Sequence, residues 1–332
     1  MYDIFQRFRT IILFAAIIPF FSACEKNALE SHIKAGPAVR LTAGVFEDSE
    51  LSFSPAGGKV LILRNYPPAG QDVRNRGGLW QRRIFELDFS DPRHPKEHEI
   101  EELAEATEVS YMGSSGAIFA KDRSNIPVIF NKGKLTPAPL RDLKSIPSRL
   151  SVSPDGRYLA FMAVETPALE PGKVPSPEDF AYNPYVADLQ SGNSSAIVRD
   201  LGPRAYLEDM WWKKSGRLCL FYRFEDPDSQ IFRVDEYDIA SGRARLAFIA
   251  NGGAYFRLSE DNSFYVTHML EQNNVSFVSR DHKTRVDINI EGELQGVSLP
   301  PDNRRVIVAR YCDDTHGINL FMVETPAQFL QT

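Results

Sequence analysis

The chain has 332 residues, a formal net charge of −6 at pH 7 and 43% hydrophobic side chains. These values allow one large hydrophobic core, and the acidic balance gives no general electrostatic reason to bind nucleic acid. We therefore predict a single folded domain over residues 38–332 and no nucleic-acid partner.

Residues 1–23 form a predicted lipoprotein signal peptide. Two arginines precede an apolar run over 11–21, and Phe-Ser-Ala then leads directly into Cys24. Small residues before a cysteine resemble a bacterial lipobox, so we expect cleavage before Cys24 and lipidation of its thiol. An uncleaved membrane anchor is the alternative. However, the apolar run is about half of the roughly 20 residues that a spanning helix needs, and Pro19 interrupts it.

After cleavage, residues 24–37 should be a polar tether between the lipid and the folded domain. Each buried acyl methylene contributes about 0.8 kcal/mol, so several chains on Cys24 would hold the protein firmly on a membrane. Glu25, rather than aspartate, follows the cysteine, which fits outer-membrane sorting under the enterobacterial rule. We therefore predict a membrane-anchored lipoprotein of the cell envelope that faces the periplasm, with the outer membrane favoured.

A repeated hairpin occupies the rest of the chain. Six times, a short apolar strand enters a turn like Ser-Pro-Asp-Gly and continues into a second apolar strand, most clearly over 150–161. Each turn closes on glycine or asparagine, which tolerate the positive φ of tight turns. The closing residues are Gly57, Gly116, Gly156, Gly216, Asn262 and Asn303.

Further strands follow each hairpin, as in 84–88, 184–188 and 234–238. Four strands per repeat are typical of one propeller blade. The last repeat lacks a fourth strand, and the unassigned strand Val39–Thr42 could supply it. We therefore predict an all-β, six-bladed β-propeller of four-stranded antiparallel blades, closed by an N-terminal strand. A β-sandwich or two small β domains would not explain six turns in register.

The repeat resembles that of the TolB-like (WD40-like) propeller family, whose core is an apolar strand, Ser-Pro-Asp-Gly and another apolar strand. Residues 150–161 match this core closely, and residues 51–63 match it with Ala56 in place of aspartate. The resemblance covers most of residues 38–326 and implies a propeller scaffold. Because propellers serve enzymes and binding proteins alike, it does not carry over one protein's role.

The candidate binding residues lie in loops between second and third strands. Two insertions, over 66–80 and 165–185, fall at this position and therefore on one predicted face. Elaborated loops are where propellers carry function, although a neutral surface insertion is the alternative. The predicted binding residues are Arg74, Arg76, Trp80, Arg223, Asp226, Asp228, Asp313, Asp314 and His316.

The sequence favours binding over catalysis without deciding between them. It contains neither Gly-x-Ser-x-Gly nor His-Glu-x-x-His. We predict a non-catalytic, lipid-anchored scaffold that binds an envelope protein. The alternative is a carbohydrate-active lyase or glycosidase with its site over the central channel, because a propeller can assemble acids from separate blades. Its first candidate residues are Asp226, Asp313 and His316.

No cofactor is predicted, apart from the option of a structural Ca²⁺. The carboxylates of Asp313 and Asp314 near His316 suit oxygen coordination, but solvated loop charges explain the same residues. Cys219 and Cys312 lie in different predicted blades and should not form a disulfide. The pair Trp211–Trp212 is interpreted as core rather than as a binding pair.

Overall fold

The computed structural model describes residues 29–30, 38–74, 78–141, 148–165, 181–197, 201, 205–226, 229–251, 255–268, 273–290 and 292–330. Strands dominate these residues, and the helices described are single 3-10 turns at Glu101–Leu103, Gly113–Ser115 and Ala327–Phe329. Within the described ranges, no helix combines the length and hydrophobicity needed to cross a membrane.

Two short strands, β1 (Leu29–Glu30) and β2 (Val39–Arg40), precede six groups of strands, which we call units 1 to 6. Unit 1 contains β3 (Glu47–Phe53), β4 (Lys59–Tyr66), β5 (Gln81–Asp88) and β6 (Lys96–Glu99). Unit 2 contains β7 (Glu108–Met112), β8 (Ala117–Lys121), β9 (Pro127–Asn131) and β10 (Lys134–Pro137). Unit 3 contains β11 (Ser148–Val152), β12 (Tyr158–Glu165), β13 (Ala181–Asp188) and β14 (Ser194–Ala196).

The second half of the chain repeats this pattern. Unit 4 contains β15 (Ala205–Trp212), β16 (Leu218–Asp226), β17 (Ser229–Asp238) and β18 (Arg243–Asn251). Unit 5 contains β19 (Tyr255–Leu258), β20 (Phe264–His268), β21 (Asn274–Ser279) and β22 (Thr284–Asn289). Unit 6 contains β23 (Leu294–Ser298), β24 (Arg305–Cys312) and β25 (Gly317–Glu324).

Consecutive strands pair antiparallel within every unit, which confirms the predicted all-β propeller architecture. The N-terminal strand β2 pairs antiparallel with β25, with Val39 opposite Met322, so it completes unit 6 as predicted. Ile318 also pairs in parallel with Glu47, which joins units 6 and 1 in one sheet. The blade count of six stays a prediction, because this junction merges two units into a single sheet.

The segment predicted as a tether contributes a strand of its own. Strand β1 pairs in parallel with β22, the outer strand of unit 5, with Leu29 opposite Thr284. Unit 5 thereby gains a fifth strand. The repeat pattern contained no signal for this pairing, because two residues are too few to show a periodicity.

The hairpin turns follow from the chemistry of Ser-Pro-Asp-Gly. In unit 3, the hydroxyl of Ser153 accepts the backbone N–H of Tyr158 at 2.8 Å and also bonds the carboxylate of Asp155. That carboxylate accepts the N–H of Arg157, and Gly156 takes a φ of +74° to close the turn. All six predicted closing residues have positive φ, which confirms the turn assignment.

The core is a series of apolar layers between units. Among the described residues, six clusters of buried side chains each join two successive units. Strand β4 shows how one strand serves two layers: Val60 and Ile62 pack toward unit 6, whereas Leu61 and Leu63 pack toward unit 2. Because side chains alternate along a strand, a strand buried on both faces must be continuously apolar.

The two cysteines of the folded domain are buried in this packing, and the Trp211–Trp212 pair is half-buried by it. Cys219 and Cys312 are buried and free, as predicted, and burial raises the pKa of the Cys219 thiol to about 12. Trp212 packs between units 3 and 4 and donates its indole N–H to the carbonyl of Ser151 at 2.8 Å. Trp211 packs against the layer between units 4 and 5, so the core interpretation holds, but it also lines the central channel.

A buried ion network links units 4 and 5 at the end that carries the hairpin turns. The ammonium of Lys213 lies 2.9 Å from the carboxylate of Glu236, and both side chains are almost fully buried. Asn262 and Arg245 also donate to Glu236, at 2.8 and 2.6 Å. Buried charges are tolerated when they are paired and hydrogen-bonded, so each partner of this network depends on the others.

We expect the free energy of unfolding to fall as the pH drops from about 4.5 toward 2. Burial raises the pKa of the Glu236 carboxyl, but hydrogen bonds from Asn262, Lys213 and Arg245 outweigh burial and lower this pKa from 4.5 to about 2. A carboxylate with a lowered pKa stabilises the fold above its unfolded pKa and loses that contribution, here about 3 kcal/mol, as it binds a proton. The measurement is urea unfolding at a series of pH values for the parent and Glu236→Gln.

The Glu236→Gln variant should be less stable at pH 7 and should show a flatter pH dependence. Glu105→Gln is the matched control, because Glu105 forms an exposed ion pair with Arg123 at 3.9 Å. Exposed pairs contribute little to stability, so this control should behave as the parent. Equal pH slopes in Glu236→Gln and the parent would contradict the assignment.

Candidate functional site

The loops between second and third strands lie at the end of the propeller where each first strand begins. At this end, the first part of the 66–80 insertion folds from unit 1 onto the loop after β24 in unit 6. The backbone N–H of Val73 donates to the carbonyl of His316 at 3.4 Å. We call residues 72–74 and 78–80 of the insertion, together with residues 311–316 at the end of β24 and in the loop after it, the clasp surface.

Tyr311 is the centre of the clasp surface. Its hydroxyl donates to the carboxylate of Asp72 at 2.7 Å and lies 3.4 Å from Nδ1 of His316. Burial, together with the bond to Asp72, raises the pKa of Tyr311 to about 12, so the phenol remains a hydrogen-bond donor. The backbone N–H of Arg74, and then Tyr311 and His316, lower the pKa of Asp72 against the opposing effect of burial.

Apolar and cationic contacts fix the same loop. Val73 is buried against Tyr311 and Ile318, and Trp80 packs on this small cluster. The guanidinium carbon of Arg74 lies 3.6 Å from the centroid of the Tyr311 ring, a cation–π geometry. Next to Trp80, Leu79 is 93% exposed. The loop is therefore held from below while it presents an apolar and a cationic side chain outward.

The structure brings four of the predicted binding residues together. Arg74, Trp80, Asp313 and His316 all lie on the clasp surface, with Arg74 about as close to Asp313 (4.0 Å) as to Glu293 (3.7 Å). Asp314 lies in the same loop, but its carboxylate contributes to closure, since it accepts a 2.6 Å hydrogen bond from Arg40 of β2.

The remaining predicted residues lie elsewhere or outside the description. Arg223 belongs to unit 4, where it bonds Glu208 at 2.7 Å and lies over the ring of Tyr206. Asp226 ends β16, and its backbone pairs with Ser229. Cys24, Arg76, Asp228 and residues 166–180 of the second insertion lie outside the described residues.

A second candidate site is the central channel, a cavity of about 1090 Å³ lined by the first strand of every unit. Four of these strands change register near the loop-bearing end: β3, β11, β15 and β23. β-bulges of this kind re-aim side chains and concentrate next to functional sites. Here they turn additional residues, among them Arg149, Glu208 and Gln295, toward the channel.

Most charged groups at the channel are paired. Asp48 and Arg64 form a buried bidentate pair in unit 1, where burial nevertheless raises the pKa of Asp48 to about 6 against the lowering effect of Arg64. The other channel carboxylates that carry a described ion pair are Glu108 with Lys121, Glu208 with Arg223, and Asp209 with Arg257. Arg257 also lies 5.2 Å above the Trp211 ring.

Neither Asp313 nor His316, the first catalytic candidates of the enzyme alternative, lines the channel. Both lie on the clasp surface instead, because the loop after β24 turns outward against the unit 1 insertion. Across the described ranges, no group of three or more His, Cys, Asp or Glu side chains is arranged to hold a metal ion. The residues named for a Ca²⁺ site are divided, since Asp314 binds Arg40 whereas His316 faces Asp72.

Sequence reasoning missed Asp72 and Tyr311, which organise the clasp surface, and Arg149 and Tyr255 in the channel. Tyr311 lies within β24 and fits an ordinary strand pattern, so only its closeness to Asp72 in space reveals its role. One feature of the sequence could have pointed to Arg149, because this residue comes directly before Leu150, where the best-preserved copy of the repeat begins.

The comparisons with known proteins agree on the fold. An oligogalacturonate lyase in complex with manganese superposes with a TM-score of 0.54 at 10% identity, covering 90% of this chain and 100% of that one. A gluconolactonase from Xanthomonas campestris, XC5397, gives a TM-score of 0.51 at 12% identity, covering 89% of this chain and 99% of that one. TolB from Acinetobacter baumannii gives 0.48 at 15% identity over 81% of this chain and 64% of that one.

Identities this low show a common fold and nothing finer. No family model and no curated protein matches the chain. The β-propeller fold is therefore confirmed, whereas membership of the TolB-like repeat family stays a prediction.

We expect Tyr311→Phe to loosen the unit 1 insertion without unfolding the propeller. The variant removes the hydrogen bond to Asp72, worth about 1–2 kcal/mol, and keeps the ring under Arg74. Limited trypsin digestion, which can cut after Arg74, should therefore be several-fold faster at the insertion. Tyr206→Phe is the control, because Tyr206 is 46% exposed in unit 4. Unchanged cleavage in Tyr311→Phe would show that the phenol does not hold the loop.

Proposed function

We propose that this protein is a lipid-anchored β-propeller of the bacterial cell envelope that binds a protein partner through the clasp surface. The observation that carries the proposal is the seating of the unit 1 insertion on unit 6 by Asp72, Val73 and Tyr311. A loop fixed before binding loses less conformational entropy in a complex, so a held loop suits recognition.

The exposed side chains of the clasp surface suit a protein partner. Leu79 presents an almost fully exposed apolar group, and Trp80 lies half-buried beside it. Arg74 adds a cation that is 56% exposed, and Asp313 adds a carboxylate that is 89% exposed. Aromatic and arginine side chains are enriched at the centre of protein interfaces, with charged groups at the rim.

The envelope location rests on the N-terminal sequence, with its apolar run and Cys24. An acylated Cys24 would hold the chain on a membrane through residues 24–37, and Leu29 of this segment lies against the outer strand of unit 5. Fractionation of Cys24→Ala against the parent is the direct measurement, with loss from the membrane fraction as the result that supports lipidation.

A carbohydrate-active enzyme with its site in the central channel is the second candidate. It is favoured by the size of the channel and by the two structural neighbours with TM-scores above 0.5, which are an oligogalacturonate lyase and a gluconolactonase. In this case the acids would be those that line the channel, such as Glu208 and Asp209, rather than Asp313. Turnover of an oligosaccharide by the full chain, lost in Glu208→Gln, is the observation that would favour this candidate.

We expect Leu79→Asp to abolish partner capture. The full chain is crosslinked in its native envelope and purified, and captured proteins are identified by mass spectrometry. A buried carboxylate at the centre of an interface costs several kcal/mol, so a partner that covers Leu79 should be lost from the capture.

Leu246→Asp is the matched control, because Leu246 is 50% exposed on β18, away from the clasp surface. It should capture the same partner as the parent. Retention of the partner by Leu79→Asp, or its equal loss from both variants, would argue against the clasp surface as the interface.

A further inference from the structure

We propose that Arg149, Tyr255 and Gln295 form a binding site in the central channel for a short oligosaccharide that carries a carboxylate. The three residues come from units 3, 5 and 6, and all of them line the same cavity. The inference rests on the channel as the site of the second candidate function and names a ligand class for it, but it requires neither catalysis there nor protein binding at the clasp surface.

Arg149 occupies a backbone conformation that arginine rarely adopts. Its φ is +52°, and it lies in the register shift of β11 between Ser148 and Ser151. An L-residue with a side chain is strained at this φ, and glycine would be the unstrained choice. Strain of this kind persists at functional sites because the surrounding structure holds it.

Neighbouring unit 2 holds the bulge in place. The carboxylate of Glu108 accepts the backbone N–H of Leu150 at 2.9 Å, and Lys121 holds that carboxylate at 2.7 Å. Two residues further along β11, the hydroxyl of Ser110 accepts the N–H of Val152 at 3.1 Å. These contacts bond the backbone and leave the Arg149 side chain exposed to the channel.

Arg149 differs from the other cations of the channel wall. Arg257 is bound by Asp209, and Lys214 lies in the hairpin turn between β15 and β16, at the opposite end of the channel from Arg149. Among the described residues, Arg149 has neither an ion-pair nor a hydrogen-bond partner. A guanidinium binds carboxylates in a planar, bidentate geometry, so an exposed one inside a cavity is a ready site for that group.

The rest of the wall favours a saccharide as the carrier of the carboxylate. One face of the Tyr255 ring stacks on His268, with 6.0 Å between the ring centroids. Tyr255 is 37% exposed, so an aromatic surface remains for the C–H groups of a sugar ring. Gln295 donates one amide N–H to Glu293 at 2.8 Å, which leaves its second N–H and its carbonyl oxygen for a ligand. Serines also line the channel on units 1, 3 and 6. Groups that both donate and accept match sugar hydroxyls.

The test is calorimetric titration of the full chain with a tri-uronate, its neutral methyl ester and tri-glutamate. We expect the parent to bind the tri-uronate and Arg149→Gly to bind it at least about tenfold more weakly, as for a lost hydrogen bond to a charged group. Arg149→Gly should melt at the same or a higher temperature than the parent, because glycine relieves the positive φ. A weaker affinity therefore cannot be attributed to unfolding.

Arg93→Met is the control for loss of one positive charge, because Arg93 is exposed in the turn after β5, outside the channel. It should bind as the parent does, and Arg149→Lys should keep part of the affinity. The proposal is overturned if the parent binds no tri-uronate, if Arg149→Gly binds it as tightly as the parent, or if the methyl ester binds equally well. Tighter binding of tri-glutamate would overturn the saccharide class and favour an acidic peptide.

Discussion

Closure of the ring is the constraint on which the rest of the structure depends. An open ring would expose two sheet edges, with rows of unpaired backbone groups. Here β2, from the start of the folded domain, pairs with β25 near its end. Arg40 of β2 reinforces this contact through Asp314, and an apolar layer that contains Ile62 and Leu320 fills the space between units 6 and 1. The first and last parts of the domain are therefore bound to each other by hydrogen bonds, charge and packing.

The clasp surface is a consequence of this closure. The insertion of unit 1 can reach the loop after β24 because closure makes units 1 and 6 neighbours in space, although 239 residues separate Asp72 from Tyr311. Their contact uses a different chemistry from the core, since it rests on a phenol, a carboxylate and a guanidinium above one small apolar cluster. A partner that binds there would contact the junction of the ring and would stabilise it by mass action.

Charged side chains are arranged differently around the channel and between the units. Between the units, the buried charges of the described residues are paired, as for Lys213 with Glu236. Around the channel, four carboxylates likewise have described cationic partners, but the bulge of β11 presents Arg149 with none among the described residues. The bulges therefore matter because they change which side chains face the cavity without changing the strand order that supports it.

The sequence by itself determined the repeat, the turn chemistry and the closing strand. These features are local: Gly156 and Asn262 adopt positive φ within their own turns, and alternation along a strand shows which residues are buried. It also identified Arg74, Trp80, Asp313 and His316 as loop residues, but not that they meet. Only the tertiary structure decided that Asp72 and Tyr311 join them, that Asp314 binds Arg40, and that Arg149 enters the channel. The physical reason is that such contacts depend on how closure and bulges orient distant strands, and neither leaves a periodic pattern in the sequence.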